Sequence, residues 1–306
     1  FLPVGQFAGR DARLGPLEGW EAFEYYAQFP RSEVSDDQLR EAIQQSLALV
    51  HLAEEHQLSG IALEDFNEEF FSTFGYRPHL YHPRLGELGC TVGLEGDVLG
   101  VLATNIVGGL VQSVGMFSEF FTIDRDENLV LFGHPGFGEM SLADPDTIEV
   151  TPDIEIDDAQ PRGVWISYRA RAGMMTLLNL TAGVEGIEGA LFSGQCVSGP
   201  RVMEGYSHFL LHPKGEISQI YDEVNEYGLF HHWGATYGDC RCRFDRTADG
   251  QLRCDDSDVA AGWCRRIDPT AADSAGPFRL RWGNLATLIP LVDDYLEIQL
   301  FLAADP

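Results

Sequence analysis

The residue types most capable of chemistry lie on two neighbouring apolar segments near the middle of the chain. The segments are 116–123 (MFSEFFTI) and 128–134 (NLVLFGH), and the polar run between them has the composition of a tight turn. A hairpin whose turn is centred between residues 126 and 127 places Glu119 directly across from His134, with Cβ atoms about 4.5–5.5 Å apart. A carboxylate and an imidazole in that arrangement can bind one metal ion.

Two simpler interpretations of this pair stay open. Glu119 and His134 could form a structural hydrogen bond, or Glu119 could lie at a solvent edge. A register shift of one residue would also turn the two side chains to opposite faces. The neighbours of Glu119 on its own face are Phe117 and Phe121. An acid among aromatic rings is costly to bury unless something compensates its charge.

Two further segments carry candidate ligands. Glu95 directly precedes a predicted helix, whose first backbone amides favour negative charge. The alternative is that Asp97 caps this helix and Glu95 is an ordinary loop residue. His231 and His232 are adjacent, and on a strand one would face a site while the other packs or meets solvent. The alternative is two ordinary core or surface histidines.

Three weaker candidates lie outside these segments. His79 and His82 are close to prolines and either line a substrate entrance or are loop residues. Glu139 either supports the site as a neighbouring acid or lies on the surface.

The elements that must position these residues follow from hydrophobic periodicity. Residues 35–58 predict a helix that begins with a capping box formed by Ser35 and Gln38. Residues 61–63 predict a short buried strand, and 97–108 predict a second helix. A helix that leads into an apolar strand is typical of an α/β layer.

After about residue 113 the period changes to that of strands. Strand-like segments cover 116–123, 128–133, 147–157, 163–170 and 174–181. Along 153–157 acids alternate with isoleucines, which predicts an acidic solvent-facing side. The polar stretch 244–278 predicts long loops, and 279–303 returns to strand-like patterns. We therefore predict an α/β domain over 1–112 and a β-rich domain over 113–306.

Composition argues against several classes of protein. The chain has 306 residues, of which 44% are hydrophobic, a net charge of −28 and one lysine, Lys214. That hydrophobic content supports a folded core rather than a disordered chain. The acidic excess opposes binding to nucleic-acid backbones and to anionic membrane surfaces. No stretch of about 18 apolar residues predicts a membrane span.

The number and spacing of the cysteines indicate the cellular compartment of the protein. The six cysteines are widely spread and no secretion signal is visible, so we expect reduced thiols in the cytoplasm. Four of them match no common zinc-site spacing: Cys240, Cys242, Cys254 and Cys264. The chain starts at Phe1 as though within a domain, and we expect further sequence upstream.

The order of these motifs resembles that of L-arabinose and L-fucose isomerases. Residues 84–97 (RLGELGCTVGLEGD) resemble the segment that ends at the first metal-binding glutamate of arabinose isomerases. Glu119 lies close to the family's second catalytic glutamate, and His134 resembles its Gly-x-His ligand. Residues 172–178 (AGMMTLL) and 231–239 (HHWGATYGD) resemble the C-terminal domain of L-fucose isomerases.

The resemblance implies a divalent metal ion, usually manganese, bound by Glu95, Glu119, His134 and His232. It also implies an α/β domain followed by an antiparallel, barrel-like C-terminal domain, a further upstream domain, and a homo-oligomer whose sugar pocket a neighbouring subunit completes. The expected reaction interconverts an aldose and a ketose of a monosaccharide through an enediol, with Glu95 and Glu119 as the acid–base pair. Carboxylate and imidazole ligands together suit Mn²⁺, Co²⁺ or Zn²⁺ better than Mg²⁺.

Two other functions are compatible with parts of the sequence. A glycosidase would need two carboxyl groups about 5–10 Å apart, but it leaves His134 and His232 without a role. A non-catalytic sugar-binding relative would keep the scaffold, yet it has no need for the four ligands in order.

Overall fold

The computed structural model describes residues 16–66, 77, 79–111, 114–153, 163–183, 186–226, 231–238, 267–268, 278–283 and 295–302. The chain divides into two compact units, each built from three chain segments. The first comprises Phe1–Val101, Gly133–Arg171 and Ser198–Phe209. The second comprises Leu102–Phe132, Ala172–Val197 and Leu210–Pro306. The division into an α/β domain over 1–112 and a β-rich domain over 113–306 stays a prediction.

The first unit contains most of the helices. They are α1 (Pro16–Ala27), α2 (Asp36–His56), α3 (Pro83–Glu87) and the start of α4 (Val98–Leu110). Strands β1 (Gly60–Ala62) and β2 (Thr91–Gly93) pair in parallel, and β5 (Glu149–Pro152) and β6 (Val164–Ser167) pair antiparallel. Two 3₁₀ turns cover Met140–Leu142 and Pro145–Thr147.

Helix α2 follows the sequence prediction closely. Ser35 accepts a hydrogen bond from the Gln38 amide, and the Gln38 side chain accepts one from the Ser35 amide, which confirms the capping box. The apolar face of α2 joins a buried core that includes β1, β2 and α3. The predicted strand at 61–63 is confirmed within one residue as β1.

The second unit is organised around a six-stranded antiparallel β-barrel. Its strands are β3 (Met116–Asp124), β4 (Leu129–His134), β7 (Gly173–Gly183), β8 (Gly186–Val197), β9 (Ser207–Pro213) and β10 (His232–Tyr237). The order around the barrel is β8-β7-β10-β3-β4-β9, and β9 pairs back onto β8. Closure leaves no free edge among these six strands.

Further elements extend the second unit. Strand β13 (Tyr295–Leu302) adds to β8 in parallel, followed by β12 (Phe278–Gly283) and β11 (Ile267–Asp268). The predicted return to strand at 279–303 is confirmed by β12 and β13. Helix α5 spans Ile217–Glu226. Among the described residues, no helix is both long and apolar enough to cross a lipid bilayer.

Aromatic contacts identify the inside of the barrel. Trp233 of β10 lies 6.0 Å from Phe132 of β4 and 5.3 Å from Phe192 of β8, measured between ring centroids. These strands are not neighbours in the barrel, so their side chains meet across its interior. Trp233 and Phe132 are fully buried. Because side chains alternate along a strand, His232 points to the outer face.

The hairpin predicted from residues 116–134 is present. Strand β3 ends at Asp124 and β4 begins at Leu129, so the turn is centred between residues 126 and 127 as predicted. Asp124 stabilises it by accepting hydrogen bonds from the amides of Asp126 and Glu127. The order of an α/β part before a β-rich part along the chain stays a prediction.

Two predicted strands are shorter than the hydrophobic pattern indicates. The prediction over 147–157 corresponds to β5, which ends at Pro152. The prediction over 163–170 corresponds to β6, which ends at Ser167. Most of the predicted loop 244–278 lies outside the described residues.

Candidate metal centre

The centre begins with a pair of residues opposite each other on neighbouring barrel strands. His232 of β10 is the register partner of Glu119 of β3, and their closest atoms, Nε2 and Oε1, are 3.7 Å apart. The His232 side chain is fully buried, and 17% of the Glu119 side chain is exposed. The Phe117 ring lies 4.4 Å from the His232 ring, measured between centroids. The pair therefore combines an acid and an imidazole on the outer barrel face, partly screened from water.

A second imidazole joins this pair. The Nε2 atom of His231 lies 3.6 Å from the same Oε1 atom of Glu119, and half of the His231 side chain is exposed. Glu119, His231 and His232 each offer a ligand atom within 4.8 Å of the others. This spacing suits three donors around one small cation.

The expectation that the two histidines point in opposite directions is wrong. Strand β10 begins at His232, so His231 precedes the regular strand and is not bound by its alternation. The two rings lie 4.0 Å apart between centroids, and the His231 carbonyl accepts a hydrogen bond from the Phe120 amide. His231 is thus a candidate ligand that the sequence reasoning identified but left unassigned.

Three interior contacts hold the start of β10 in place. The Asn179 side chain donates a 2.6 Å hydrogen bond to the His232 carbonyl, and both residues are buried. Ser118 donates from its hydroxyl to the Trp233 carbonyl. Trp233 itself is anchored in the aromatic interior. The backbone at His232 and Trp233 is therefore held by side chains of both neighbouring strands, β7 and β3.

Helix α4 covers the outer face beside this pair. A Cβ atom on Gly234 would lie 2.4 Å from the Thr104 backbone nitrogen, closer than real contacts allow. Gly115 approaches Thr104 in the same way, at 2.7 Å from its carbonyl oxygen. Glycine at these positions lets the helix backbone pack directly against the barrel.

The donor set fits a divalent transition metal. One carboxylate and two imidazoles match the ligand preferences of Mn²⁺, Co²⁺ and Zn²⁺, whereas Mg²⁺ prefers oxygen ligands alone.

Glu95 lies in the first unit, on the turn between β2 and α4. Its backbone is left-handed, with φ of 60°, and its amide donates a 2.8 Å hydrogen bond to Asp65 Oδ1. A non-glycine residue in this conformation costs about 1–2 kcal/mol, so the turn needs compensating contacts. Asp97 accepts from the amides of Leu99 and Gly100, which confirms that it caps the helix.

His134 ends strand β4 and is buried. Its Nδ1 atom lies 2.5 Å from the Pro135 carbonyl oxygen, which can only accept a hydrogen bond. The proton is therefore on Nδ1, and in the neutral ring Nε2 carries the lone pair that a metal would use. The predicted pairing of His134 with Glu119, and the full ligand set of Glu95, Glu119, His134 and His232, stay predictions.

A buried cluster of charges lies in the first unit. The Arg77 guanidinium binds both carboxylate oxygens of Asp153, at 2.6 and 3.1 Å. His79 Nε2 lies 3.1 Å from Asp65 Oδ2, and all four side chains are at most 5% exposed. Asp153 therefore does not belong to an acidic solvent-facing side, and that prediction is wrong for this residue. The rest of the 154–157 series lies outside the described residues.

The two acids of this cluster differ in their ionisation. Burial opposes the charge of Asp65, but the contact with His79, the hydrogen bond from the Glu95 amide and the Arg77 charge together outweigh it and lower the pKa of Asp65. For Asp153 burial dominates and raises the pKa, although His79 and Arg77 act against it. His79 is thus a core residue in contact with Asp65, rather than a residue of an exposed loop.

Glu139 and His82 have structural contacts of their own. The Glu139 carboxylate is buried and accepts from the Ser141 amide, which caps the first 3₁₀ turn, so the surface alternative is wrong. Burial is the main cause that raises the pKa of Glu139. His82 caps helix α3 by accepting from the Arg84 amide.

No protein-family model and no curated protein matches the chain. Cys90 and Cys196 are buried free thiols. The other four cysteines lie outside the described residues.

Proposed function

We propose that this protein is a metal-dependent aldose–ketose isomerase that acts on a monosaccharide. The observation that carries the proposal is the convergence of Glu119, His231 and His232 on the outer face of a β-barrel. Sequence motifs in the order found in L-arabinose and L-fucose isomerases support it. A homo-oligomer in the cytoplasm is part of the same proposal.

The reaction needs a proton moved between two neighbouring carbons of the sugar. When bound, a divalent cation would polarise the sugar oxygens and stabilise negative charge that develops on them. Glu119 is suited to take and return the proton, because its carboxylate is only partly exposed and rests on fixed strands. We assign Glu95 as the second carboxylate of the acid–base pair on the strength of the resemblance.

In this proposal the imidazoles bind the metal ion and do not transfer the proton. His232 is buried and fixed through its backbone, which suits a permanent ligand. His134 carries its proton on Nδ1 and would present Nε2, and we propose it as the further ligand. His231 is half exposed, so it is either an additional ligand or a contact for a sugar hydroxyl.

The test uses the full chain and two readouts. Free-Mn²⁺ electron paramagnetic resonance gives the binding stoichiometry, and a ketose assay with L-fucose, L-arabinose and D-arabinose gives activity. We expect about one Mn²⁺ per chain and ketose from at least one sugar. Metal binding without ketose would favour the sugar-binding alternative, and absence of both would refute the isomerase proposal.

Glu119→Gln is the decisive variant. It keeps the size of the side chain but removes the charge, and we expect turnover to fall at least about 100-fold. The matched control is Glu127→Gln, which changes an exposed carboxylate on the turn of the same hairpin. Retained activity in Glu119→Gln would show that the acid–base assignment is wrong.

A further inference from the structure

The carboxylate of Asp65 is shared between a turn and a buried imidazole. Its Oδ1 atom accepts the 2.8 Å hydrogen bond from the Glu95 amide, and its Oδ2 atom lies 3.1 Å from His79 Nε2. Only 1% of the Asp65 side chain is exposed. A charged group so placed has no water to bind, so both contacts are structural requirements of its burial.

The turn that Asp65 holds has an unusual backbone. Glu95 and Gly96 are both left-handed, with φ of 60° and 65°. The Gly96 amide donates to the Leu63 carbonyl, but the Glu95 amide has its acceptor in the Asp65 side chain. Since the direction of a side chain follows from its own φ and ψ, a relaxed backbone at Glu95 would aim its carboxylate elsewhere.

Asp65 is itself held by rigid neighbours. The His79 ring stacks on Trp165 at 5.8 Å with an angle of 8° between the planes, and it meets Phe137 edge-on at 5.7 Å. Close packing continues behind it, because a Cβ atom on Gly136 would lie 3.2 Å from the His79 ring. The imidazole therefore has little freedom to follow Asp65 if the turn moves.

We propose that Asp65 is a positioning residue for Glu95, which it holds in the left-handed conformation, and that His79 fixes Asp65 in turn. This inference rests on the proposed function, in which Glu95 is a metal ligand and a member of the acid–base pair. In this role Asp65 is not itself a ligand and acts through its hydrogen bond to the backbone of Glu95.

The experiment compares variants of the full chain by Mn²⁺ titration and by hydrogen–deuterium exchange at the Glu95 amide. Removing an outer partner of a ligand typically weakens metal affinity about 10- to 100-fold, and we expect this from Asp65→Ala. Asp65→Asn should largely rescue the affinity, because the amide oxygen can still accept from the Glu95 amide. In Asp65→Ala the Glu95 amide should also exchange faster.

Two further variants separate positioning from folding. Asp144→Ala makes the same chemical change as Asp65→Ala at an ion pair with Arg169 in the same unit, and it should leave Mn²⁺ affinity within about twofold. His79→Phe keeps a flat ring against Trp165 but removes the contact to Asp65. It should weaken Mn²⁺ binding about tenfold and speed exchange at Glu95, and it serves as the test if Asp65→Ala does not fold.

The outcomes are distinguishable. If the wild-type chain binds no Mn²⁺, the proposed function fails and this inference fails with it. If the wild type binds Mn²⁺ but Asp65→Ala and His79→Phe bind it equally well with an unchanged Glu95 amide, only the positioning role is refuted. Equal losses in Asp144→Ala and Asp65→Ala would also refute it, since the effect would then reflect general destabilisation.

Discussion

Asn179 links the stability of the barrel to the placement of His232. The ladder between β7 and β10 begins at the pair of Leu178 and Gly234, so the His232 carbonyl lies beyond it. The Asn179 side chain donates a 2.6 Å hydrogen bond to this carbonyl. In Asn179→Ala this buried carbonyl loses that donor, which changes both the local backbone and the free energy of unfolding.

The magnitude follows from the burial of both groups. Loss of a partner for a buried polar group costs about 1–3 kcal/mol, so we expect about 2 kcal/mol for Asn179→Ala. For a unit of this size that corresponds to a melting temperature lower by about 4–8 °C. Differential scanning calorimetry measures the change. The freed start of β10 should also weaken Mn²⁺ binding about tenfold, because His232 loses its fixed backbone.

The control variant is at the other end of the same pairing. Thr176, also on β7, donates a 2.7 Å hydrogen bond to the Gly238 carbonyl beyond the end of β10. Thr176→Val should lower stability by about 1 kcal/mol while metal affinity stays within about twofold. If both variants weaken Mn²⁺ binding equally, or if Asn179→Ala unfolds like wild type, the reasoning about His232 is refuted.

Three further predictions concern stability. Burial lowers the pKa of His82 to about 4, so its neutral form favours the folded state above pH ~6.5, and that contribution is lost as the pH falls towards 4. Urea unfolding of the wild type and of His82→Asn, which keeps a capping oxygen, should show a loss of unfolding free energy between pH 7 and pH 5 that is smaller in the variant by at most about 2 kcal/mol. An equal loss in both proteins would contradict this prediction. Arg77→Met should cost about 3–5 kcal/mol in urea unfolding, since it leaves buried carboxylates without their cation, and wild-type stability would contradict this. Gly234→Ala should cost about 1–3 kcal/mol in calorimetry through its clash with Thr104, whereas Gly109→Ala, with open space around it, should not be destabilised.

Local interactions account for what sequence reasoning predicted well. The capping box that begins α2 and the turn between β3 and β4 depend on residues within a few positions of one another. Such contacts form with little loss of chain entropy, and their residue preferences are strong. The same reasoning failed for the length of β5, because pairing with β6, rather than the alternation of acids and isoleucines, sets where that strand ends.

Long-range contacts account for what it missed. The local pattern predicts that Asp153 faces solvent, but Asp153 forms a buried ion pair with Arg77, which is distant in the chain. Strand alternation predicts that His231 points away from its neighbour His232, but the strand begins only at His232, so the alternation does not apply to His231. In both cases a local pattern had two physical solutions, and a partner from elsewhere in the chain selected one.

The sequence by itself determined the local turns, the main helix and the residue types available for a metal centre. Tertiary structure alone decided that β10 lies beside β3 with His232 opposite Glu119. Many strands share the same alternating pattern, so pattern alone does not select a neighbour or a register. Closure of the barrel and burial of Trp233 in its interior fix both, and they bring the acid and the imidazole together.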